Sequence, residues 1–313
     1  MSDQLSAGET GTAATKLAPA RPNRPRRDDT RLALLFIAPA AVGFAVFILW
    51  PLIRGIQFSF TKYNLLTPAQ FIGFDNYVRM ANDPVFWNSV KVTLYYVVVN
   101  IGVQTVVALI IAVLMQRLTQ SSWLRGLVLT PYLMANVVAA LLFLWILDYQ
   151  LGNGNTVLGW LGLDRIAFLG DEHWVIPTIA LINVWRHVGY TALLIFAGLQ
   201  TIPASIYEAA KLDGAGEVSM FFRITVPLLR PILALVLIVT MVGSFQVFDT
   251  VAVTTDGGPG DASRVLQLYI YDVAFGRFDF GYAFAMSVAL LLILATVTVL
   301  QYRLMRADAT DLD

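Results

Sequence analysis

Tyr207-Glu-Ala-Ala-Lys-Leu-Asp-Gly-Ala-Gly-Glu-Val-Ser-Met-Phe-Phe-Arg-Ile-Thr-Val-Pro227 is the stretch that decides the fold. It is polar and punctuated, it lies between two long apolar runs, and its pattern still reads as structured. Thr201 is a candidate helix cap, and Pro203 suits a first helical turn. Ile206, Ala209 and Ala210 then fall on one helical face. Gly214 and Gly216 break that helix. A second short run, Val218 to Ile224, carries Phe221 and Phe222 and stops at Pro227. Two short helices at an angle, small on one side and aromatic on the other, predict a knob. A knob between membrane spans suits docking onto another protein.

Composition places the flanking runs in a bilayer. Of 313 residues, 58% are hydrophobic and only 13% charged, where a soluble domain carries about 25% charged. The deficit, with long uncharged runs, predicts an all-α polytopic membrane protein. The net charge is zero, and no feature calls for a nucleic-acid partner. There is no cysteine, which excludes disulfides, thiol catalysis and thiolate metal sites. The two histidines, His173 and His187, are too few for a histidine-rich metal site, so no metal site and no catalytic set are assigned.

Residues 1–31 are polar and rich in Ala, Thr, Pro and Arg, predicting a disordered tail. Arg21, Arg24, Arg26, Arg27 and Arg31 precede the first apolar run and mark the tail as cytoplasmic. Six spans follow, at about 32–53, 92–115, 127–147, 176–199, 228–247 and 282–302, each near the roughly 20 residues needed to cross hydrocarbon. Three segments between spans read as external: 54–91, 148–174 with Gly-Asn turns at Gly152-Asn-Gly-Asn155, and 249–280 with Asp256-Gly-Gly-Pro-Gly260. The segment 201–227 and the tail 307–313 fall on the cytoplasmic side. Counted over the tail, the 116–126 loop, the 201–227 segment and the C-terminus, which ends its last span in Arg303-Leu-Met-Arg306, Lys and Arg number about 13 on that side against about 7 on the other, with Arg186 inside a span. No phosphate-binding Gly-x-x-x-x-Gly-Lys-Ser/Thr loop occurs, so any ATPase that drives the protein is another polypeptide.

Polar residues inside apolar spans face a cavity or a partner helix. Tyr96, Asn100 and Gln104 form one stripe. Asn183, Arg186, His187 and Tyr190 form another. The fifth span ends in Phe245, Gln246, Phe248 and Asp249. Amides, phenols and aromatic faces around a shared space suit a neutral, hydroxyl-rich solute. The amides can equally serve as hydrogen bonds between helices. Arg186 cannot deprotonate and needs a partner, for which Asp249 is the candidate. His187 reads better as a satisfied interhelical group than as a proton carrier.

Glu208-Ala209-Ala210, three residues, Gly214, nine residues and Ile224-x-x-Pro227 resemble the EAA loop of ABC-importer permeases, with Val226 where the family usually has Leu. Phe71-Ile-Gly-Phe-Asp-Asn-Tyr77, Asp83-Pro-Val-Phe-Trp87, Phe248-Asp-Thr-x5-Thr-Asp-Gly-Gly-Pro259 and Tyr269-Ile-Tyr-Asp-Val-Ala-Phe275 are similar to the maltose-type carbohydrate permeases. The resemblance spans about residues 32–306. It implies half of a type I ABC importer with the permease (MetI-like) fold, in the cytoplasmic membrane of a bacterium or archaeon. It also implies a second permease subunit, two ATPase subunits that bind ATP-Mg, and an extracytoplasmic solute-binding protein. Glu208 to Pro227 would be the coupling segment, with Glu208, Ala209, Ala210, Asp213, Gly214, Phe221, Phe222 and Pro227 meeting the ATPase. Asp256, Gly257, Gly258 and Pro259 would meet the binding protein, with a lesser contribution from Phe71 to Trp87; the alternative for these loops is that they simply pack on the permease itself. The alternative is an ion-coupled secondary carrier, which would need a titratable relay or paired repeats. Only Asp249 and His187 are candidates for such a relay.

Overall fold

A computed structural model describes residues 27–118 and 121–305. Most of the expected N-terminal tail and all of residues 307–313 lie outside the described residues. Helix α1 (Arg27–Phe44) runs through a π-helical turn (Ala45–Leu49) into α2 (Trp50–Ser59). It therefore already occupies residues 27–31, which the sequence assigned to the tail. Pro51 has no amide hydrogen and its ring crowds the preceding turn, and the wide turn lies directly before it. The helix outlasts the expected boundary at Ile53 and stops at Ser59, whose hydroxyl bonds the Ile56 carbonyl and the Tyr77 hydroxyl. The chain divides into two units, 1–53 and 54–313. The cavities and loops described below all belong to the second.

The segment expected as an external loop after the first span is largely built. A two-residue strand β1 (Thr61–Lys62) pairs antiparallel with β2 (Gln70–Phe71), with Thr61 opposite Phe71. Helix α3 (Asp75–Ala81) follows, and its buried Asn76 amide donates to the Ser59 and Thr61 carbonyls. Helix α4 (Pro84–Leu118) starts well before the expected residue 92. Asp83 explains why: its Oδ1 accepts the Val85 and Phe86 amides, and Pro84 needs no partner at a first helical position.

The expected third span is not one straight helix. Helix α5 (Ser122–Leu129) and a 3-10 turn (Thr130–Leu133) meet α6 (Asn136–Ile146) at 89°. Met134 and Ala135 are extended between them. Gly152-Asn-Gly-Asn155 does not form turns: Gly152 is the cap of α7 (Asn153–Trp160). The buried Asn155 side chain donates to the Ile166 carbonyl and accepts its amide, so it acts as an internal bracket. Helix α8 (Val175–Leu199) agrees with expectation.

The decisive stretch forms α9 (Ala204–Leu212), α10 (Glu217–Met220), a π-helical turn (Phe221–Thr225) and α11 (Val226–Leu228). Pro203, not Thr201, is the cap residue of α9, and the Thr201 hydroxyl bonds back to the Gly198 carbonyl. The helix ends as expected at Gly214, with φ of +78°. The Gly214 amide reaches the Lys211 carbonyl and the Ala215 amide reaches the Ala210 carbonyl, the paired bonds of a left-handed C-terminal cap. Then α12 (Arg230–Phe245), α13 (Asp249–Thr254), α14 (Leu266–Tyr271), a π-helical turn (Asp272–Gly276) and α15 (Phe280–Met305) complete the described residues. Among the described residues, five helical segments are long and apolar enough to cross a membrane, or six if the bent α5–α6 pair counts as one.

Helices α4 and α8 pack along each other through small residues, with Ala108, Ala112 and Ala192 fully buried, which lets backbones approach. A Cβ on Gly189 of α8 would lie 2.0 Å from the Val128 carbonyl oxygen, so α5 rests directly on that glycine. One apolar cluster gathers Tyr96, Ile179, Tyr269, Tyr282 and Met286. A second gathers Ala108, Ile195, Leu199, Leu229 and Val236. The first lies toward the end of α4 at Pro84, and the second lies toward its Leu118 end.

Candidate functional site

A cavity of about 370 Å³ opens between the middles of α4, α8 and α12, with the α5–α6 bend and α13 closing its side. The structure brings Tyr96, Asn100, Gln104, Asn183, Arg186, Tyr190, Gln246 and Asp249 to its wall. Phe245 is different: it turns away into the buried core beside Met241, one helical turn back. The face opposite Phe245 supplies Thr240, Gly243 and Ser244 to the cavity.

The amides do both things that were open to them. The Asn100 Nδ2 donates to Ser244 Oγ at 2.9 Å and to Gln104 Oε1 at 3.3 Å, and Gln104 Nε2 donates to Thr191 Oγ1 at 2.8 Å. Helices α4, α8 and α12 are thereby cross-linked while the same residues line the cavity. Asn183 reaches Thr250 at 3.3 Å, tying α8 to α13. Two amide oxygens, Asn100 Oδ1 and Asn136 Oδ1, are buried and have no hydrogen-bond donor among the described residues. A buried acceptor without a donor is costly, and both residues belong to the cavity lining.

The expected Arg186–Asp249 ion pair does not form. Arg186 Nε donates to the Met134 carbonyl at 2.8 Å and its Nη1 to His187 Nε2 at 2.7 Å. Asp249 Oδ2 instead accepts Asn136 Nδ2 at 2.8 Å. The physical reason is the helix break: at 134–135 it leaves a carbonyl without a helical partner, which a guanidinium satisfies. Since arginine only donates, His187 Nε2 accepts and its Nδ1–H donates to the Asn183 carbonyl at 2.9 Å. Both sides of the bend are therefore stitched to charged residues in the cavity wall. Tyr132 stacks on Tyr190 at 4.7 Å and lies beneath the Arg186 guanidinium.

Sequence reading missed Tyr132, Asn136, Thr191, Thr240, Ser244 and Thr250, all of which line the cavity. Single hydroxyls in an apolar run give little signal. Tyr132 and Asn136 do share an i,i+4 spacing, but the intervening break makes that spacing misleading.

At the Leu118 end of α4, the α9–α10 elbow leaves Glu208, Ala209, Asp213, Gly214 and Phe222 exposed, while Ala210, Phe221 and Pro227 are half-buried. Its apolar residues are uncovered too: Leu212 is 90% exposed, Val218 72% and Phe222 65%. The elbow is braced from within by the Tyr207–Thr225 hydroxyl pair at 3.0 Å and by the edge-to-face Phe221 and Phe222 rings.

At the other end, Asp83 Oδ2 accepts both the Tyr269 and Tyr282 hydroxyls at 2.6 Å. Burial alone would raise the Asp83 carboxyl, but these bonds and the two capping amides hold it below the usual carboxylate range. Burial and the bond to Asp83 push the Tyr269 phenol up to about 12. Arg79 pairs with Asp279 at 2.6 Å and lies 4.0 Å over the Tyr282 ring. The 255–265 turn closes on itself: the buried Ser263 hydroxyl bonds Thr255 Oγ1 at 2.7 Å and the Gly258 carbonyl at 2.6 Å. Arg264 bridges Asp261 and Asp272. Within Asp256–Pro259, Asp256 is exposed, Gly257 is buried, and Gly258 and Pro259 are half-buried.

This arrangement of bent and broken apolar helices around a polar mid-chain cavity has known counterparts. The chain superposes with a TM-score of 0.78, at 24% identity over 90% of this chain and 98% of the other, on the crystal structure of a bacterial ABC transporter involved in the import of the acidic polysaccharide alginate. The shared fold is that of such transporters' MetI-like membrane subunits. The sulfoquinovosyl glycerol transport system permease protein SmoG of Agrobacterium fabrum is 36% identical, covering 89% of this chain and 91% of its own. The lactose transport system permease protein LacF of Rhizobium radiobacter is 34% identical (87% and 93%). The trehalose/maltose transport system permease protein MalF of Thermococcus litoralis is 30% identical (89% and 95%). Residues 104–307 match the family described as binding-protein-dependent transport system inner membrane component. On both counts, the chain belongs to that family and is a multi-pass permease of a binding-protein-dependent importer.

Proposed function

We propose that this permease carries a neutral carbohydrate, whether sugar, oligosaccharide or polyol, through the cavity between α4, α8 and α12. One observation supports this most: two buried amide oxygens, Asn100 Oδ1 and Asn136 Oδ1, lack donors at a wall otherwise made of phenols, hydroxyls and amides. A polyhydroxylated solute supplies hydroxyl donors to such acceptors, and the Tyr132–Tyr190 stack offers a flat face to a sugar ring. Arg186, the one arginine or lysine of that lining among the described residues, has a carboxylate, Asp249, on the same wall, which suits a neutral solute over an anionic one. The relatives named for lactose and for trehalose/maltose fit the same class.

In this reading both termini and the α9–α10 elbow are cytoplasmic. The chain binds no ATP itself. It works with a second permease subunit and two ATP-binding subunits, and an extracytoplasmic binding protein docks near Asp256–Pro259. Glu208 pairs with a basic group on the ATPase, Ala209 and Ala210 allow close approach, and Asp213 and Gly214 shape the turn. Phe221, Phe222 and Pro227 hold the second arm.

The test is uptake into proteoliposomes holding this chain with its co-purified partners, using a panel of labelled neutral and anionic saccharides. ATP-dependent uptake of a neutral saccharide is expected, falling about tenfold or more in Asn100→Leu, where the buried acceptor and its bonds are lost together. Uptake driven by an ion gradient without ATP would contradict the reading.

A further inference from the structure

A second cavity, also about 370 Å³, lies behind the elbow and is not used by the transport reading. Its walls are the Leu118 end of α4, the inward face of α9, and the α10 arm. The polar lining is Gln116, Arg117, Tyr207, Lys211, Glu217 and Thr225, over an apolar floor that includes Met220 and Phe221. Tyr207 and Lys211 are one helical turn apart on α9, so they share a face. Glu208 and Leu212 occupy the neighbouring, outward face, which the transport reading assigns to docking. A ligand in this cavity therefore sits behind the docking surface and leaves it free.

The charges favour an anion. Arg117 Nη2 pairs with Glu217 at 2.6 Å, and both side chains are more than half exposed. Among the described residues no carboxylate lies within ion-pair distance of Lys211. Two cations and one carboxylate leave a net positive cavity. The Gln116 amide adds a hydrogen-bond donor, while the Tyr207 and Thr225 hydroxyls bond each other at 3.0 Å and leave at most one O–H for a ligand. Glu217 is free to swing outward, because its side chain is exposed and its bond is at the surface, where ion pairs are weak. A guanidinium, an ammonium and an amide N–H around one space match a tetrahedral phosphate, which accepts at several oxygens.

We infer that this cavity is a phosphate-recognition site that braces the elbow against α4. The phosphate comes from one of two sources: the headgroup of an anionic phospholipid, reached because α4 ends at the membrane surface, or a soluble phosphate compound. Occupancy joins Arg117 of α4 to Lys211 of α9 through one ligand and fixes the angle at which the elbow is presented. Only this last consequence, control of coupling, rests on the proposed docking role. The binding itself does not.

The experiment uses the purified full-length chain and two arms. In phosphatidylcholine nanodiscs, inorganic phosphate is titrated by calorimetry. In parallel, native mass spectrometry counts phosphatidylglycerol retained from mixed phosphatidylglycerol–phosphatidylcholine micelles. Saturable one-site binding is expected in one arm, and the arm identifies the source. Lys211→Gln and the double variant Arg117→Gln/Lys211→Gln are expected to weaken it, the double by about tenfold or more, and Glu217→Gln to strengthen it. Lys211 is exposed, so Lys211→Gln folds and keeps the test sound should the double variant not. No binding in either arm, or binding unchanged by Lys211→Gln, overturns the inference. Absence of phosphate binding leaves the transport reading standing, and absence of ATP-dependent uptake leaves a binding result standing, so the two failures are distinguishable.

Discussion

The two ends of α4 carry loops of similar polarity and opposite construction. At the Pro84 end, polar groups are turned inward: Asp83 takes four donors, Ser263 is buried and bonded, and Arg264 bridges two aspartates. At the Leu118 end, Glu208, Asp213, Leu212, Val218 and Phe222 are left outside. A segment that satisfies its own polar groups is a rigid cap. Apolar groups are uncovered at both ends, since Leu66, Phe71 and Phe74 near the Pro84 end are 85%, 79% and 69% exposed. The difference lies in the polar groups, bonded inward at one end and left facing outward at the elbow, as the proposed docking role there requires.

That contrast can be broken by substitution. Largest should be Glu208→Lys and Gly214→Pro at the elbow. Proline cannot adopt the φ of +78° at 214, and Glu208→Lys inverts the docking charge. Both should cut ATP-dependent uptake by about tenfold or more, while membrane insertion, read by surface accessibility and yield, is retained. Uptake at the normal rate in both would remove the elbow from coupling.

At the cap the effect should instead be on stability. Asp83→Ala removes the α4 cap and two tyrosine bonds, for a loss of about 2–4 kcal/mol, measurable by thermal unfolding in detergent. A smaller effect separates cap from elbow by pH. The Asp83 carboxyl is held below its unfolded value. Its stabilisation is therefore present above the unfolded pKa of about 3.9 and lost as pH falls through the lower folded value. Unfolding scans of the wild type should weaken there, and Asp83→Asn should flatten that part of the profile. Smallest should be Leu212→Ser: it is 90% exposed, so its stability should change by no more than about 0.5 kcal/mol. Its retention of the ATPase should nonetheless fall, and equal retention would show that the uncovered apolar residues are not part of the contact.

Much of this was legible from residue order. The long apolar runs located the membrane helices, Gly214 located the turn of the elbow, and the polar stripes on α4 and α8 converge on one cavity. What escaped has physical causes. Hydropathy sees charge, so it assigns Arg54 and Lys91 to loop, although capping by Asp83 and a bond-satisfied end at Ser59 carry helix past them. The 89° bend was hidden because Met134 and Ala135 are themselves apolar. What makes it tolerable is a guanidinium supplied by Arg186 from another helix. The Arg186–Asp249 pairing failed for the same reason: each charge had a nearer partner created by that bend. Phe245 was misplaced because adjacent residues on a helix point about 100° apart, so Gln246 reaches the cavity and Phe245 does not.

The most direct test of the elbow as a partner surface is recovery of the tagged chain from gently solubilised membranes, beside its Glu208→Lys variant, with partners identified by mass spectrometry. The account expects a P-loop ATPase to co-purify with the wild type and to be lost or weakened in the variant. A chain that purifies alone in both forms, yet still transports, would contradict it.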